Sequence, residues 1–144
     1  MKFYFAYGSN LSREQMRVRC PEQRVIGNGV LRGYRWIISA RGYANIVSSP
    51  RDLVLGTIYE LSPADELSLD RYEGVAEGAY RKEMVMVEAA DGRSRSCLVY
   101  LDPAVAEGTP WDEYEERLAK GIADARLPAG YVDLYLRRFL PLAK

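Results

Sequence analysis

The alternation of apolar and polar residues along the chain predicts a small number of strands with helices between and after them. Lys2 to Tyr7 is aromatic-rich and apolar on both faces, as a strand covered on both sides should be. Ser12 to Gln15 has the form of a capping box, which predicts a short helix from about Ser12 to Arg19, ending before Pro21. Val25 to Ser39 reads as strand, bent or broken at Gly27, Gly29 and Gly33. Ala44 to Val47 and Leu53 to Leu61 read as two further strands, with the Ser-Ser-Pro-Arg-Asp segment between them as a turn.

Ser62 followed by Pro63 predicts a helix start, and the helix from Ala64 to Tyr72 is expected to turn Leu67 and Leu69 inward and to end at Gly74. Tyr80 to Val87 and Ser94 to Tyr100 alternate around Asp91-Gly92, a hairpin signature. Trp111 to about Arg126 is amphipathic. Leu127-Pro128 interrupts the pattern, and Gly130 to Leu140 predicts a last helix. Six or so strands with inserted and appended helices make an α+β fold, most simply a small mixed or barrel-like sheet.

Length adds that residues 1–144 fit one domain, since domains centre near ~100–150 residues. No apolar run approaches the roughly 20 residues of a bilayer-spanning helix, so a cytoplasmic protein with no membrane partner is the expectation. The 20 basic and 20 acidic residues cancel, leaving no electrostatic footprint for nucleic acid. Cys20 and Cys97 lack metal-ligand spacing and read as two buried thiols rather than a disulfide.

The chain has no histidine. That removes the commonest general base, the Ser-His-Asp and Cys-His arrangements, and most transition-metal sites. Acid-base chemistry must fall to Asp, Glu, Lys, Tyr or Cys.

Two segments could carry such chemistry. The first is Tyr7-Gly8-Ser9-Asn10, where a strand stops at a glycine and turns towards a capped helix. Free backbone N–H groups at the positive end of a helix dipole bind carboxylates, phosphates and oxyanions. The plainer reading is an ordinary strand-to-helix turn capped by Asn10 or Ser12. Ser9 lacks the G-x-S-x-G setting of a nucleophile and has no histidine to take its proton.

The second is LSLDRYEGVAEGAYRK, Leu67 to Lys82. Glu73 stands at the C-terminal end of a short helix, where the dipole, partial burial and the charge of Asp70 would raise its pKa towards the range of a general base. Arg71, Arg81 and Lys82 could pair with these acids and lower it instead. A solvated helix end with Asp70, Glu73 and Glu77 on the surface is the alternative.

YFAYGSNL at the start, SSP before a strand ending G-x-I-Y-E-L, then LDRYEGVAEGAY and the late LPAGYVDLYLRRF, occur in that order over nearly the whole chain. Together they resemble the gamma-glutamylcyclotransferase family, including its AIG2-like and gamma-glutamylamine cyclotransferase branches. The resemblance implies a small mixed β-barrel with flanking helices. It implies that Glu73 is the catalytic acid/base and that Tyr7, Gly8, Ser9, Asn10 and Leu11 line the pocket for the glutamyl part of a small-molecule substrate. Tyr80 would be a further substrate contact, and Tyr114 resembles a tyrosine of the family's later helix region.

The implied reaction is attack of a free α-amine on the γ-carbonyl, releasing 5-oxoproline, and it needs no cofactor or metal. The leaving amine or amino acid is not read by these motifs. The loops at Arg41–Arg51 and Asp102–Trp111 are expected to face it. A non-catalytic metabolite-binding module, or an interaction protein that dimerises through its C-terminal helices, would be the other classes.

Overall fold

The computed structural model describes residues 1–140. Five strands close into a barrel, β1 (Lys2–Ala6), β2 (Arg24–Ile38), β3 (Ala44–Leu61), β4 (Arg81–Ala89) and β5 (Ser94–Leu101), in the spatial order β1-β3-β2-β4-β5. β1 closes the barrel between β3 and β5. It runs antiparallel to β3, from Lys2 opposite Leu61 to Ala6 opposite Thr57, and parallel to β5, with Phe3 opposite Cys97. Neighbours on both edges and packing on both faces explain why it is apolar from Phe3 to Ala6.

The period of two along β1 distributes its side chains between two cores. Phe5 and Tyr7 join Trp36, Ile58 and Val99 in a cluster that the C-terminal helices cover. Tyr4 and Ala6 join Met16, Tyr59, Leu61 and Leu69 under the first two helices. Cys97 belongs to the first cluster and Cys20 to the second, so the two thiols are separate, buried and free.

β2 and β3 form the longest pairing, and here the structure departs from the expected break. β3 is one strand of 18 residues rather than two strands with a turn. The register explains the turn-like sequence. Arg32 faces Leu53 while Tyr34 faces Ser48, so Ser49 to Asp52 bulge out of the ladder opposite Gly33. Pro50 costs no ladder hydrogen bond there, and the Ser49 hydroxyl donates to the Asp52 carboxylate across the bulge. The merger leaves five strands in place of about six. In β2 the register slips at Gly27 and Gly33 but not at Gly29, where β2 also pairs with β4 through Ala89.

Four helices flank the barrel. α1 (Arg13–Arg19) is capped by the Ser12 hydroxyl, which accepts from the Gln15 amide at 3.3 Å. α2 (Pro63–Tyr72) is capped by Ser62 in the same way, with Pro63 in its first turn. Leu69 is fully buried, but Leu67 is 59% exposed, because the two positions lie about 200° apart around the helix and only one can face the barrel. α3 (Asp112–Ala125) packs Tyr114, Leu118 and Ile122 inward and ends in a left-handed Arg126. α4 is a single turn, Ala129–Tyr131, that runs on as a π-helix over Val132–Leu136. Among the described residues, no helix is long and apolar enough to cross a membrane.

Candidate active site

The segment after β1 is not a direct strand-to-helix junction. A 3-10 turn, Ser9–Leu11, intervenes, closed by the Leu11 amide on the Gly8 carbonyl at 3.0 Å. The N-terminus of α1 therefore starts beyond the corner, and the polar groups presented there belong to the turn. Among the described residues, the amides of Ser9 and Asn10 donate to no backbone carbonyl.

The turn is held from every side. The Tyr7 carbonyl accepts from Trp36 Nε1 at 2.8 Å, and the Tyr7 hydroxyl donates to the Tyr100 carbonyl at 2.5 Å. Asn10 donates to the Tyr4 hydroxyl, while its Oδ1 accepts from Gln15 at 2.8 Å and from Arg19 at 3.1 Å. Gln15 also donates to Ser9 Oγ at 2.8 Å. The expected capping box is thus only half made: Ser12 caps α1, but the Gln15 side chain serves the turn instead. Gly8 is required by proximity, since a Cβ there would stand 2.9 Å from Ala44 Cβ and 3.3 Å from the Tyr114 hydroxyl.

Across a cleft of about 310 Å3 from this turn stands Glu73. It terminates α2, with its amide on the Leu69 carbonyl at 2.8 Å, and the following Gly74 adopts φ 63°, a left-handed conformation natural to glycine. Burial pushes the Glu73 carboxyl up to about 7, against the opposing pull of Arg19 and Arg41. Asp70 takes no part in this shift. It points away, accepting from Lys82 Nζ at 3.0 Å and from the Tyr100 hydroxyl at 2.8 Å, so the expected like-charge effect is absent. Lys82 is engaged with Asp70 and Glu66 rather than with Glu73.

Tyr80 and Tyr114 reach the cleft from β4's approach and from α3, and both fix themselves to one residue of β3. The Tyr80 hydroxyl donates to the Ala44 carbonyl at 3.0 Å, and the Ala44 amide donates to the Tyr114 hydroxyl at 3.1 Å. Burial raises both phenols, Tyr114 to about 12, so they remain protonated at neutral pH.

Of the residues expected at the site, Glu73, Tyr7, Gly8, Ser9, Asn10, Tyr80 and Tyr114 all line the cleft. Leu11 does not. Its side chain is 1% exposed and packs in the core beneath the turn, because the 3-10 geometry rotates it away from the opening. Of the two loops expected to face the leaving group, the first brings Arg41 and Tyr43 to the border of the cleft, and no residue of Asp102–Trp111 lines it. Arg19 and Arg117 also line it and were not singled out by the sequence. Arg19 lies 4.4 Å over the Tyr72 ring, and Arg117 5.2 Å over that of Tyr114.

The chain matches the model of the AIG2-like family over residues 53–134. Mouse gamma-glutamylcyclotransferase is 30% identical, across 89% of this chain and 73% of that protein. The human gamma-glutamylcyclotransferase is 29% identical over the same shares. A solved structure of a gamma-glutamyl cyclotransferase superposes with a TM-score of 0.85 at 26% identity, covering 99% of this chain and 88% of that one.

Proposed function

Because this chain belongs to the AIG2-like family and is similar to gamma-glutamylcyclotransferases along most of its length, we propose that it cyclises the glutamyl part of a gamma-glutamyl compound to 5-oxoproline, with Glu73 as acid and base. The observation that carries the residue assignment is the environment of Glu73. It is the one carboxylate among the residues lining the cleft, and its pKa of about 7 lets it both accept and return a proton near neutrality.

In this reading the glutamyl α-carboxylate, or the oxyanion that develops on the γ-carbonyl, is received by the amides of Ser9 and Asn10. Glu73 takes a proton from the α-amine as its nitrogen bonds to the γ-carbon. The same proton is given to the departing nitrogen as the original amide bond breaks, so the products are 5-oxoproline and a free amine. Tyr7, Tyr80 and Tyr114 have their hydroxyls tied to backbone groups of the protein or, for Tyr114, to an amide that donates to it, and they act as shaped walls. Such walls hold amine and carbonyl in the folded, ring-closing geometry, from which proximity can supply ~7–11 kcal/mol of the barrier. Leu11 supports the turn from below rather than touching the substrate.

The test is release of 5-oxoproline from a panel of gamma-glutamyl compounds by wild type and by Glu73→Gln. The expected outcome is turnover by wild type alone, with the variant folded and still binding the substrate. Full activity in Glu73→Gln would remove the residue from its role. Silence of the folded wild type across the panel would turn the site into a metabolite-binding pocket without chemistry.

A further inference from the structure

α3 runs along the Ser9–Leu11 turn and meets it with one stripe of its surface. Tyr114 and Leu118 stand against Gly8, and Gly121 against Leu11 and Ser12. Residues three and four apart share a helix face, so Arg117 falls on the same stripe, where it is the one charged member. Its side chain lines the cleft.

Arg117 is oriented there without being neutralised. Its guanidinium stacks over the Tyr114 ring, and Nη1 donates to Gln15 Oε1 at 3.4 Å. Gln15 is the side chain that also bonds Ser9 and Asn10, so the cation is tied to the turn itself. Among the described residues, no carboxylate pairs with Arg117, Nη2 makes no hydrogen bond, and Nε is buried without a partner. A buried donor with no acceptor costs the fold stability, so packing alone does not account for this arginine. Arg19 also borders the cleft, but it is bonded to Asn10 and its charge acts on Glu73. The turn end of the cleft thus carries the Arg117 charge and two amides bonded to no backbone carbonyl, while the one carboxylate lining the cleft, Glu73, stands across from it.

We infer that Arg117 is a specificity-determining residue for the glutamyl end of the substrate: it meets the α-carboxylate with the free edge of its guanidinium and so makes the turn select for charge. The inference rests on the cyclotransferase reading above. Backbone amides alone donate to a neutral carbonyl as well as to a carboxylate, whereas a guanidinium adds an ionic contact that only the carboxylate returns. Compounds with a free α-carboxylate are therefore preferred to those in which that group is tied up as an amide.

The test compares gamma-glutamylglycine with the analogue that carries an α-carboxamide in place of the α-carboxylate. Both keep the attacking amine and the departing glycine, and they cyclise to 5-oxoproline and to its amide. Wild type should favour the carboxylate compound, and Arg117→Gln should cut that preference by about tenfold or more in kcat/KM, the factor expected of one charge-assisted contact. The cut should come through a raised KM for gamma-glutamylglycine, and Arg117→Lys should restore part of it. Because Arg117→Gln removes a buried unpaired donor, it should melt no lower than wild type. Calorimetric binding runs beside the kinetics, in a Glu73→Gln background so that the ligand is not consumed. There the added Arg117→Gln should weaken gamma-glutamylglycine by about tenfold and the carboxamide far less. An undiminished preference in the folded Arg117→Gln would overturn the inference, as would an equal loss on both compounds, the mark of a residue that only props the turn. Turnover of neither compound by wild type would overturn the cyclotransferase reading. The binding comparison would then decide on Arg117 by itself, and no selective weakening there would overturn this inference too.

Discussion

At the scale of single residues, the proposed chemistry rests on Glu73, a carboxyl whose pKa burial raises to about 7. A folded-state pKa of about 7 against an ordinary value of 4.5 means that the unfolded chain holds fewer protons between those two pH values. Stability contributed at this site is therefore full below about pH 4.5 and falls as pH rises to about 7. Glu73→Gln, neutral throughout, should be more stable than wild type at about pH 8, by about 2 kcal/mol once solvent screening is allowed for, and the gap should close by about pH 5. Melting curves of the two proteins at both pH values check this, and a gap independent of pH would contradict it. The rate should follow the same ionisation, with kcat/KM rising along an acid limb that levels off above about pH 7, where the base form dominates. In sequence, Glu73 was legible as a carboxylate beside a helix-ending glycine, but the sign of its shift was not. That sign is set by burial, with Arg19 and Arg41 opposing it and Asp70 and Lys82 engaged with each other, and spacing along a helix end fixes neither the burial nor the direction of long side chains. Arg19 and Arg117 were missed for the same reason: periodicity marks them as polar, and only the fold shows that their charged ends border a cavity.

At the scale of elements, the position of the Ser9–Leu11 turn is set by α3. Gly121, in the middle of that helix, is buried, and a Cβ there would come within 2.7 Å of Leu11 Cβ and 3.1 Å of the Ser12 amide. Helix propensity alone would favour alanine at this position by ~1 kcal/mol. The clash is with backbone and with a core side chain that has little room, and overpacking of this kind typically costs ~1–3 kcal/mol. Gly121→Ala should therefore melt below wild type and raise KM as the turn is displaced, with a smaller effect on kcat. A higher melting temperature would show that propensity wins and that the contact is soft. Elements with local signals were read well, including the caps at Ser12 and Ser62 and the Asp91-Gly92 hairpin. The long β3 was not, because Ser-Ser-Pro-Arg-Asp carries the same composition whether it ends a strand or bulges from one. Only its pairing with β2, with Gly33 opposite, separates the two cases.

For the whole molecule, strand order was beyond local pattern. The parallel contact between β1 and β5 joins the two ends of the sheet, and pairing at that distance leaves no trace in periodicity. The closed barrel between two cores also places the thiols out of reach of solvent. Burial raises Cys20 to about 12 and Cys97 to about 11, and both side chains are fully covered. An aromatic disulfide reagent at neutral pH should leave the folded protein unlabelled and modify both cysteines once denaturant is added. Labelling of either at the speed of a free thiol in the native protein would show that its side of the barrel opens readily.

Ala44 offers a last consequence. The two tyrosines that wall the cleft take their bearings from the main chain of this one residue, its carbonyl and its amide, and from no side chain at position 44. Main-chain atoms are the one part of a protein that substitution does not replace. The aromatic frame around the cleft can thus be inherited unchanged while the side chains at its rim drift, so that the shape of the opening is free to change in descent, or by directed selection, without rebuilding the frame.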